Sequence, residues 1–115
     1  MPWRARPSRC PTAAGDAACG AETVDRLVGA PRAHPYADTS PAELPPPPIP
    51  EVVINGQEEP LAPPAMGAAY VARMQSRGGH LRQAVVAGTG HVELIAPGTA
   101  AWEQTTAIVL QQLAR

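Results

Sequence analysis

Proline placement is the feature that most limits how this chain can fold. Eleven of the fifteen prolines lie in residues 1–50, where the apolar residues follow no regular period. Proline lacks a backbone N–H, so it interrupts helix interiors and central strands. Residues 1–22 are therefore expected to be irregular and disordered, and residues 23–50 to hold short helical turns and a proline-rich connector. Regular structure is predicted for residues 51–115.

The proline-rich half still offers two short helical segments. Residues 21–29 place apolar side chains on one side of a turn, and a glycine can end it. Ser40–Leu44 can form a single turn, because proline at its second residue suits the first helical position. Pro45–Pro50 should then be extended polyproline II. We interpret this run as a stiff connector rather than an SH3-type ligand, since no arginine flanks it.

The sequence pattern changes at Glu51, from proline-rich and irregular to one typical of strands and helices. Val52–Ile54 is a β-branched run that suits a buried parallel strand. The next two residues are Asn-Gly, which alone would favour a hairpin. Gln57–Pro64 holds three prolines and cannot form the returning strand. A long loop is therefore predicted at the carboxyl end of this strand.

A helix is predicted from Pro64 to about Arg77, with Gly78–Gly79 ending it. Its apolar face is expected to consist of four residues at helical spacing, namely Met66, Ala69, Tyr70 and Met74. A second strand follows over Leu81–Ala87. A last helix is predicted over Ala100–Ala114, with a cap at Thr99 and with an inward face formed by Trp102, Val109 and Leu113.

The second half thus alternates strand, loop, helix, strand, loop and helix. This order predicts an α/β fold with two parallel strands, a crossover helix and a C-terminal helix, preceded by a largely irregular N-terminal third. In open α/β sheets, functional groups gather at the carboxyl ends of the strands. One loop at that edge carries Glu58 and Glu59, and the other carries His91 directly after the Gly88–Gly90 turn. His91 is a candidate general base, because imidazole titrates near neutral pH.

Composition excludes several other classes of function. The net charge of −1 gives no electrostatic reason to expect nucleic acid or an anionic membrane as partner. No apolar run approaches the roughly 20 residues of a membrane helix. An apolar signal segment is absent from the first fifteen residues, which favours a cytoplasmic location.

No cofactor or metal is expected from the sequence. Two cysteines and three histidines lack the spacing of a ligand set. The glycine turn fails as a dinucleotide-binding motif, because Glu93 stands where the last glycine of G-x-G-x-x-G is required.

Two motifs resemble those of one family. Val52–Pro63, which reads VVINGQEEPLAP, is similar to the acid loop of α/β-hydrolases of the prolyl-oligopeptidase-like and esterase-like groups. Gly88–Ile95, which reads GTGHVELI, is similar to their histidine loop. The intervening helix and the PGTAAWEQ segment also resemble the family. The resemblance covers residues 41–114, and residues 22–40 weakly.

The resemblance implies a C-terminal part of an α/β-hydrolase fold, with His91 and Glu59 as the base and acid of a Ser-acid-His triad. The order of acid before histidine matches the family. Glu59 stands where the family has aspartate, and Asn55 and Ala62 replace its usual histidine and valine. Glu58 is the alternative acid, although the alignment favours Glu59.

The family's nucleophile motif, Gly-x-Ser-x-Gly, is absent from the sequence. The three serines (Ser8, Ser40 and Ser76) do not follow a predicted strand, and neither does Cys19. The chain is therefore expected to be a truncated fragment of a serine hydrolase that cleaves a small-molecule ester or a peptide, inactive alone. The alternative is a non-catalytic binding or subunit-pairing protein on a remnant hydrolase half. In either case an uncovered sheet edge would favour association. The sequence leaves the substrate open.

Overall fold

The structure is a computed structural model, and it describes residues 40–114 together with Arg26, Ala33 and Ala37. The predictions made for residues 1–22 and for a helix over residues 21–29 fall outside the described residues, apart from Arg26. The chain divides into two units, Met1–Pro45 and Pro46–Arg115.

In the first unit, the predicted turn over Ser40–Leu44 is present. The Ser40 carbonyl accepts hydrogen bonds from the backbone N–H groups of Glu43 at 2.9 Å and Leu44 at 3.2 Å. Two bonds to one carbonyl are typical of a single helical turn.

The second unit contains the regular structure predicted for it. In chain order its elements are β1 (Glu51–Gly56), α1 (Pro64–Ser76), β2 (Leu81–Val86), a short 3-10 helix (Glu93–Ile95) and α2 (Ala100–Leu113). The mixed α/β class is confirmed. Within the described residues, no helix has the length and apolar character needed to cross a membrane.

The two strands pair in parallel, as the sequence predicts. The register runs from Glu51 opposite Leu81 to Gly56 opposite Val86. Parallel pairing needs a crossover between the strands, and α1 supplies it. The Asn-Gly step does not form a hairpin. Over residues 40–114 the sheet consists of these two strands, so each strand has one outer edge without a neighbouring strand.

Helix α1 begins and ends where its sequence signals place it. Pro64 occupies the first helical position. At the other end Gly78 has a φ of 89°, a left-handed conformation that glycine adopts without strain. This conformation lets the Gly79 N–H donate to the Met74 carbonyl at 2.9 Å, which satisfies one of the last free carbonyls of the helix.

The buried face of α1 differs in part from the predicted one. Val71 and Met74 form the core with Leu81 of β2, and Val53 and Tyr70 pack against them. Met74 is 0 % exposed.

The predicted position of Ala69 on this face is wrong, because Ala69 is exposed. The buried row is Gly67, Val71 and Met74, at spacings of four and three. Gly67 allows α1 to approach the sheet closely, since an added Cβ would collide with the side chains of Asn55 and Gln83.

Helix α2 carries the predicted cap but does not bury the predicted face. The Thr99 hydroxyl accepts a hydrogen bond from the Trp102 N–H at 3.0 Å. Trp102 and Val109 are exposed, and Leu113 is 78 % exposed, whereas Ala101 is the buried residue of the helix. The expected inward face is therefore wrong. The apolar period is present, but α2 packs mainly on the 3-10 helix, so no layer in the described residues covers that face.

The core predicts the stability effect of one substitution. Met74→Ala is expected to lower the free energy of unfolding by about 2–5 kcal/mol, because it leaves a cavity in the centre of the α1–sheet contact. Leu113→Ala is the control, and it should change the stability by less than about 0.5 kcal/mol because its side chain is exposed. Urea unfolding followed by circular dichroism measures both. Equal effects would contradict this description of the core.

Candidate acid–base site

The parallel register brings the loops after β1 and β2 to the same edge of the sheet. Backbone hydrogen bonds join these loops beyond the strands themselves. The Gln57 N–H donates to the Val86 carbonyl at 2.9 Å, and the Glu58 N–H donates to the Thr89 carbonyl at 2.9 Å. We call the loop over residues 57–63 the acid loop and the loop over residues 87–92 the histidine loop. The two loops are held together before any functional side chain is considered.

Two glycines allow this close approach. A Cβ added at Gly56, the last residue of β1, would collide with the Thr89 carbonyl and would lie 2.6 Å from the Gly90 carbonyl oxygen. Gly88 has a φ of 59° and turns the histidine loop at the end of β2. The turn that the sequence predicts before His91 is thus present.

Glu59 is a buried carboxylate with defined partners. Its side chain is 7 % exposed. One carboxylate oxygen, Oε1, accepts hydrogen bonds from the Leu61 N–H at 2.7 Å and the Ala62 N–H at 3.3 Å. The other oxygen, Oε2, lies 2.6 Å from His91 Nδ1. A carboxylate bound on both oxygens has a fixed orientation, so Glu59 presents one oxygen to the histidine ring.

His91 is oriented by this contact and remains accessible. A carboxylate can only accept hydrogen bonds, so Nδ1 carries the shared hydrogen. The neutral ring then has its lone pair on Nε2. The side chain is 54 % exposed, and in the described part of the chain Glu59 is the hydrogen-bond partner of the ring. The arrangement therefore offers a base nitrogen at an exposed position.

The environment of Glu59 favours its ionised form. Burial by itself raises the pKa of this carboxyl group, but the hydrogen bonds from Leu61, His91 and Ala62 and the attraction to the His91 ring lower it. The net result is a pKa below the ordinary value of 4.5. Glu59 is consequently a carboxylate at neutral pH, as the contact with His91 requires.

The neighbouring acid is placed differently. Glu58 is exposed, and its backbone N–H binds the Thr89 carbonyl. The geometry therefore selects Glu59, which the alignment favours, as the acid that contacts His91. The contact is confirmed, whereas the catalytic role of the two residues stays a prediction.

Within the described residues of the second unit, the other candidate side chains are not brought to His91. The Ser76 hydroxyl, at the far end of α1, is exposed and donates to the Arg73 carbonyl at 2.7 Å. His80 is exposed and immediately precedes β2, at the opposite edge of the sheet from His91. Ser40 lies in the first unit. Ser8 and Cys19 lie outside the described residues, as do Cys10 and His34.

Two site residues are not indicated by the sequence patterns. In the sequence, Asn55 is a hairpin signal and a departure from the family pattern, and Gln83 falls within a strand predicted from its apolar residues. In the structure, Gln83 Nε2 donates to Asn55 Oδ1 at 2.9 Å, and Asn55 Nδ2 donates to the Ala62 carbonyl at 3.2 Å. The available signal was a polar amide directly after the first predicted strand and another within the second, where apolar residues dominate.

The described residues contain no cluster of three or more histidine, cysteine, aspartate or glutamate side chains able to hold a metal ion. The polar groups beside His91 form instead a single acid–histidine contact supported by backbone N–H groups. Comparison of the chain with protein-family models, with curated proteins and with solved structures gave no match.

The lowered pKa of Glu59 predicts how stability depends on pH. Because this pKa is lower in the folded chain than in the unfolded chain, the unfolded state binds more protons near pH 4.5. The stabilisation from Glu59 is present above that pH and is lost as the pH falls below it. Urea unfolding from pH 6 to pH 3 should therefore show a smaller loss of stability in Glu59→Gln than in the wild-type chain.

Glu58→Gln is the matched control for this measurement. It changes an exposed acid at the adjacent position and should keep the wild-type decline below pH 4.5. If Glu58→Gln flattens the acid limb and Glu59→Gln does not, then the carboxylate bound to His91 has been assigned incorrectly.

Proposed function

We propose that Glu59 and His91 form the acid–base pair of a serine-hydrolase-type site, and that residues 51–115 are the C-terminal part of an α/β-hydrolase. The observation that carries the proposal is the 2.6 Å contact between Glu59 Oε2 and His91 Nδ1. The motif resemblance supports it, because the same two residues occupy the acid and histidine positions of the family. The parallel strand pair is consistent with a piece of such a sheet.

The chemistry follows from the tautomer that Glu59 imposes. His91 Nε2 can take a proton from a hydroxyl group as that group attacks an ester or peptide carbonyl. The ring then becomes a cation, which the Glu59 carboxylate stabilises from the Nδ1 side. Returning the proton from Nε2 to the leaving alcohol or amine completes one half of hydrolysis. An ester and a peptide both satisfy these requirements.

The described residues of the second unit place no serine beside the pair. The Ser76 hydroxyl binds a carbonyl of its own helix, and no serine lies in either loop. We infer that the chain has no serine-hydrolase activity alone and that this activity depends on a serine from a longer parent or from a second chain. A sheet edge with no neighbouring strand in the described residues, together with exposed apolar side chains such as Ile95 and Val92, also suits a non-catalytic pairing protein. That second candidate needs association but no proton transfer.

A fluorophosphonate probe tests the dependence on an added nucleophile. The probe reacts with an activated serine, so the isolated chain is expected to remain unlabelled at neutral pH. A heat-denatured sample measures the background, and an active serine hydrolase serves as the positive control. Labelling of the native chain above that background would contradict the inactive-fragment proposal.

An activated ester tests the reactivity of His91 Nε2, because imidazole attacks p-nitrophenyl acetate as a nucleophile without a serine. His91→Ala should remove most of the histidine-dependent release of p-nitrophenolate. Glu59→Gln should lower it as well, since the carboxylate keeps the lone pair on Nε2 and stabilises the cation that forms as the ring attacks.

His80→Ala is the matched control for the ester assay, because it removes an exposed histidine from the opposite edge of the sheet. It should keep most of the rate. Equal losses in the His80 and His91 variants would mean that Glu59 does not activate His91, and the proposed acid–base function would then fail.

A further inference from the structure

Gln83 is a polar side chain in the middle of β2, and it uses both hydrogens of its amide. Its Nε2 donates to Asn55 Oδ1 at 2.9 Å and to the Pro64 carbonyl at 2.7 Å. The first bond crosses to the end of β1, and the second reaches the first residue of α1. The Gln83 side chain thus links the end of β1 to the start of α1, the two elements that the acid loop connects.

Asn55 extends this hydrogen-bond network to the acid loop. It is 9 % exposed, and its Nδ2 donates to the Ala62 carbonyl at 3.2 Å. The N–H groups of Leu61 and Ala62 are the ones that hold Glu59 Oε1. The amide chain from Gln83 therefore ends on the peptide segment that orients the carboxylate.

We propose that Gln83 is a positioning residue for the Glu59–His91 pair and that it acts through Asn55. Gln83 does not touch the His91 ring, and it fixes the segment on which Glu59 depends. The proposal rests on the proposed acid–base function only for the chemical role of the pair. The effect of Gln83 on the Glu59–His91 hydrogen bond can be measured without any reaction.

The donor and acceptor pattern explains why an amide is required at position 83. Asn55 Oδ1 and the Pro64 carbonyl are both acceptors, so the group between them must supply two hydrogens. A carboxylate at this position would face two acceptors. If Asn55 turned its amide to donate to that carboxylate, its oxygen would face the Ala62 carbonyl instead. Either arrangement breaks the connection to the acid loop.

Helix α1 packs tightly against the side-chain amides of Asn55 and Gln83. A Cβ added at Gly67 would collide with Asn55 Oδ1 and would lie 2.8 Å from Gln83 Nε2. Helix α1 therefore covers the amide pair at close range. Displacement of the two amides is more readily taken up by the acid loop, which lacks regular secondary structure, than by the helix.

The test is Gln83→Glu, which has nearly the same shape and reverses the required polarity. NMR of the full 115-residue chain with ¹⁵N-labelled histidine reports which ring nitrogen of His91 carries the proton. In the wild-type chain the neutral His91 ring is expected to be the Nδ1–H form, because Nδ1 faces the Glu59 carboxylate. In Gln83→Glu we expect loss of the Nδ1 proton signal and a shift of the ring toward the Nε2–H form.

Gln75→Glu is the matched control. Gln75 Nε2 also donates to a backbone carbonyl at 2.7 Å, that of Leu81, but it lies at the other end of α1. The control makes the same change of charge and also removes one amide donor to the backbone. It is expected to leave the His91 signals at their wild-type positions, even if it lowers the melting temperature.

Gln83→Met keeps the test decisive if the carboxylate variant does not fold. Methionine fills a similar volume without placing a charge between two acceptors, and it too should weaken the Nδ1 proton signal. The proposal is overturned if either folded Gln83 variant keeps the wild-type His91 signals, or if Gln75→Glu changes them equally. A Gln83→Met chain that cannot fold would also overturn it, because Gln83 would then be a general structural residue.

These outcomes are separate from those of the proposed function. Failure of ester hydrolysis with an intact Gln83 effect would reject the acid–base role and keep the positioning network. Conversely, if the Glu59–His91 pair is active and substitution of Gln83 leaves the His91 signals unchanged, the acid–base role is supported and the positioning role of Gln83 is rejected.

Discussion

The parallel pairing of β1 with β2 is the constraint on which the rest of the structure depends. Parallel strands place both of their carboxyl ends at one edge, so loops that are 32 residues apart in sequence become neighbours. An antiparallel pair would send the acid and the histidine to opposite edges. Every feature of the site therefore depends on the crossover that α1 provides and on the core of Val71, Met74 and Leu81 that holds it against the strands.

A second principle operates within the acid loop, where backbone groups rather than other charges hold the carboxylate. Glu59 uses Oε1 for two N–H groups of its own loop and keeps Oε2 for His91. Burial alone would favour the neutral acid, and these bonds reverse that preference. The loop thus maintains an ionised group in a mostly buried position, and among the described residues its partners are two backbone N–H groups and the His91 ring.

The sequence predicted the parts of this arrangement that depend on local signals. Proline and glycine mark both ends of α1, Thr99 marks the start of α2, and the alternation of elements indicates parallel strands. The contact of Glu59 with His91 was predicted from motif resemblance.

Side-chain contacts between strands and the packing of helix faces could not be predicted from local sequence signals. The amide chain through Asn55 and Gln83 depends on which face of each strand meets α1. The apolar period of α2 indicates a face but not whether another layer covers it, and Leu113 shows that the two can differ.

Gly56 has a consequence for recognising other chains that can form the same pair. The acid loop and the histidine loop can approach each other because the carbonyl groups of Thr89 and Gly90 occupy the space that a side chain at position 56 would fill. An acid and a histidine at suitable positions are therefore insufficient as a search pattern. A more selective pattern requires glycine as the last residue of the first strand, an acid three residues later, and a glycine-containing turn before the histidine. Chains with a larger residue at that glycine would contain both functional groups and still hold them apart.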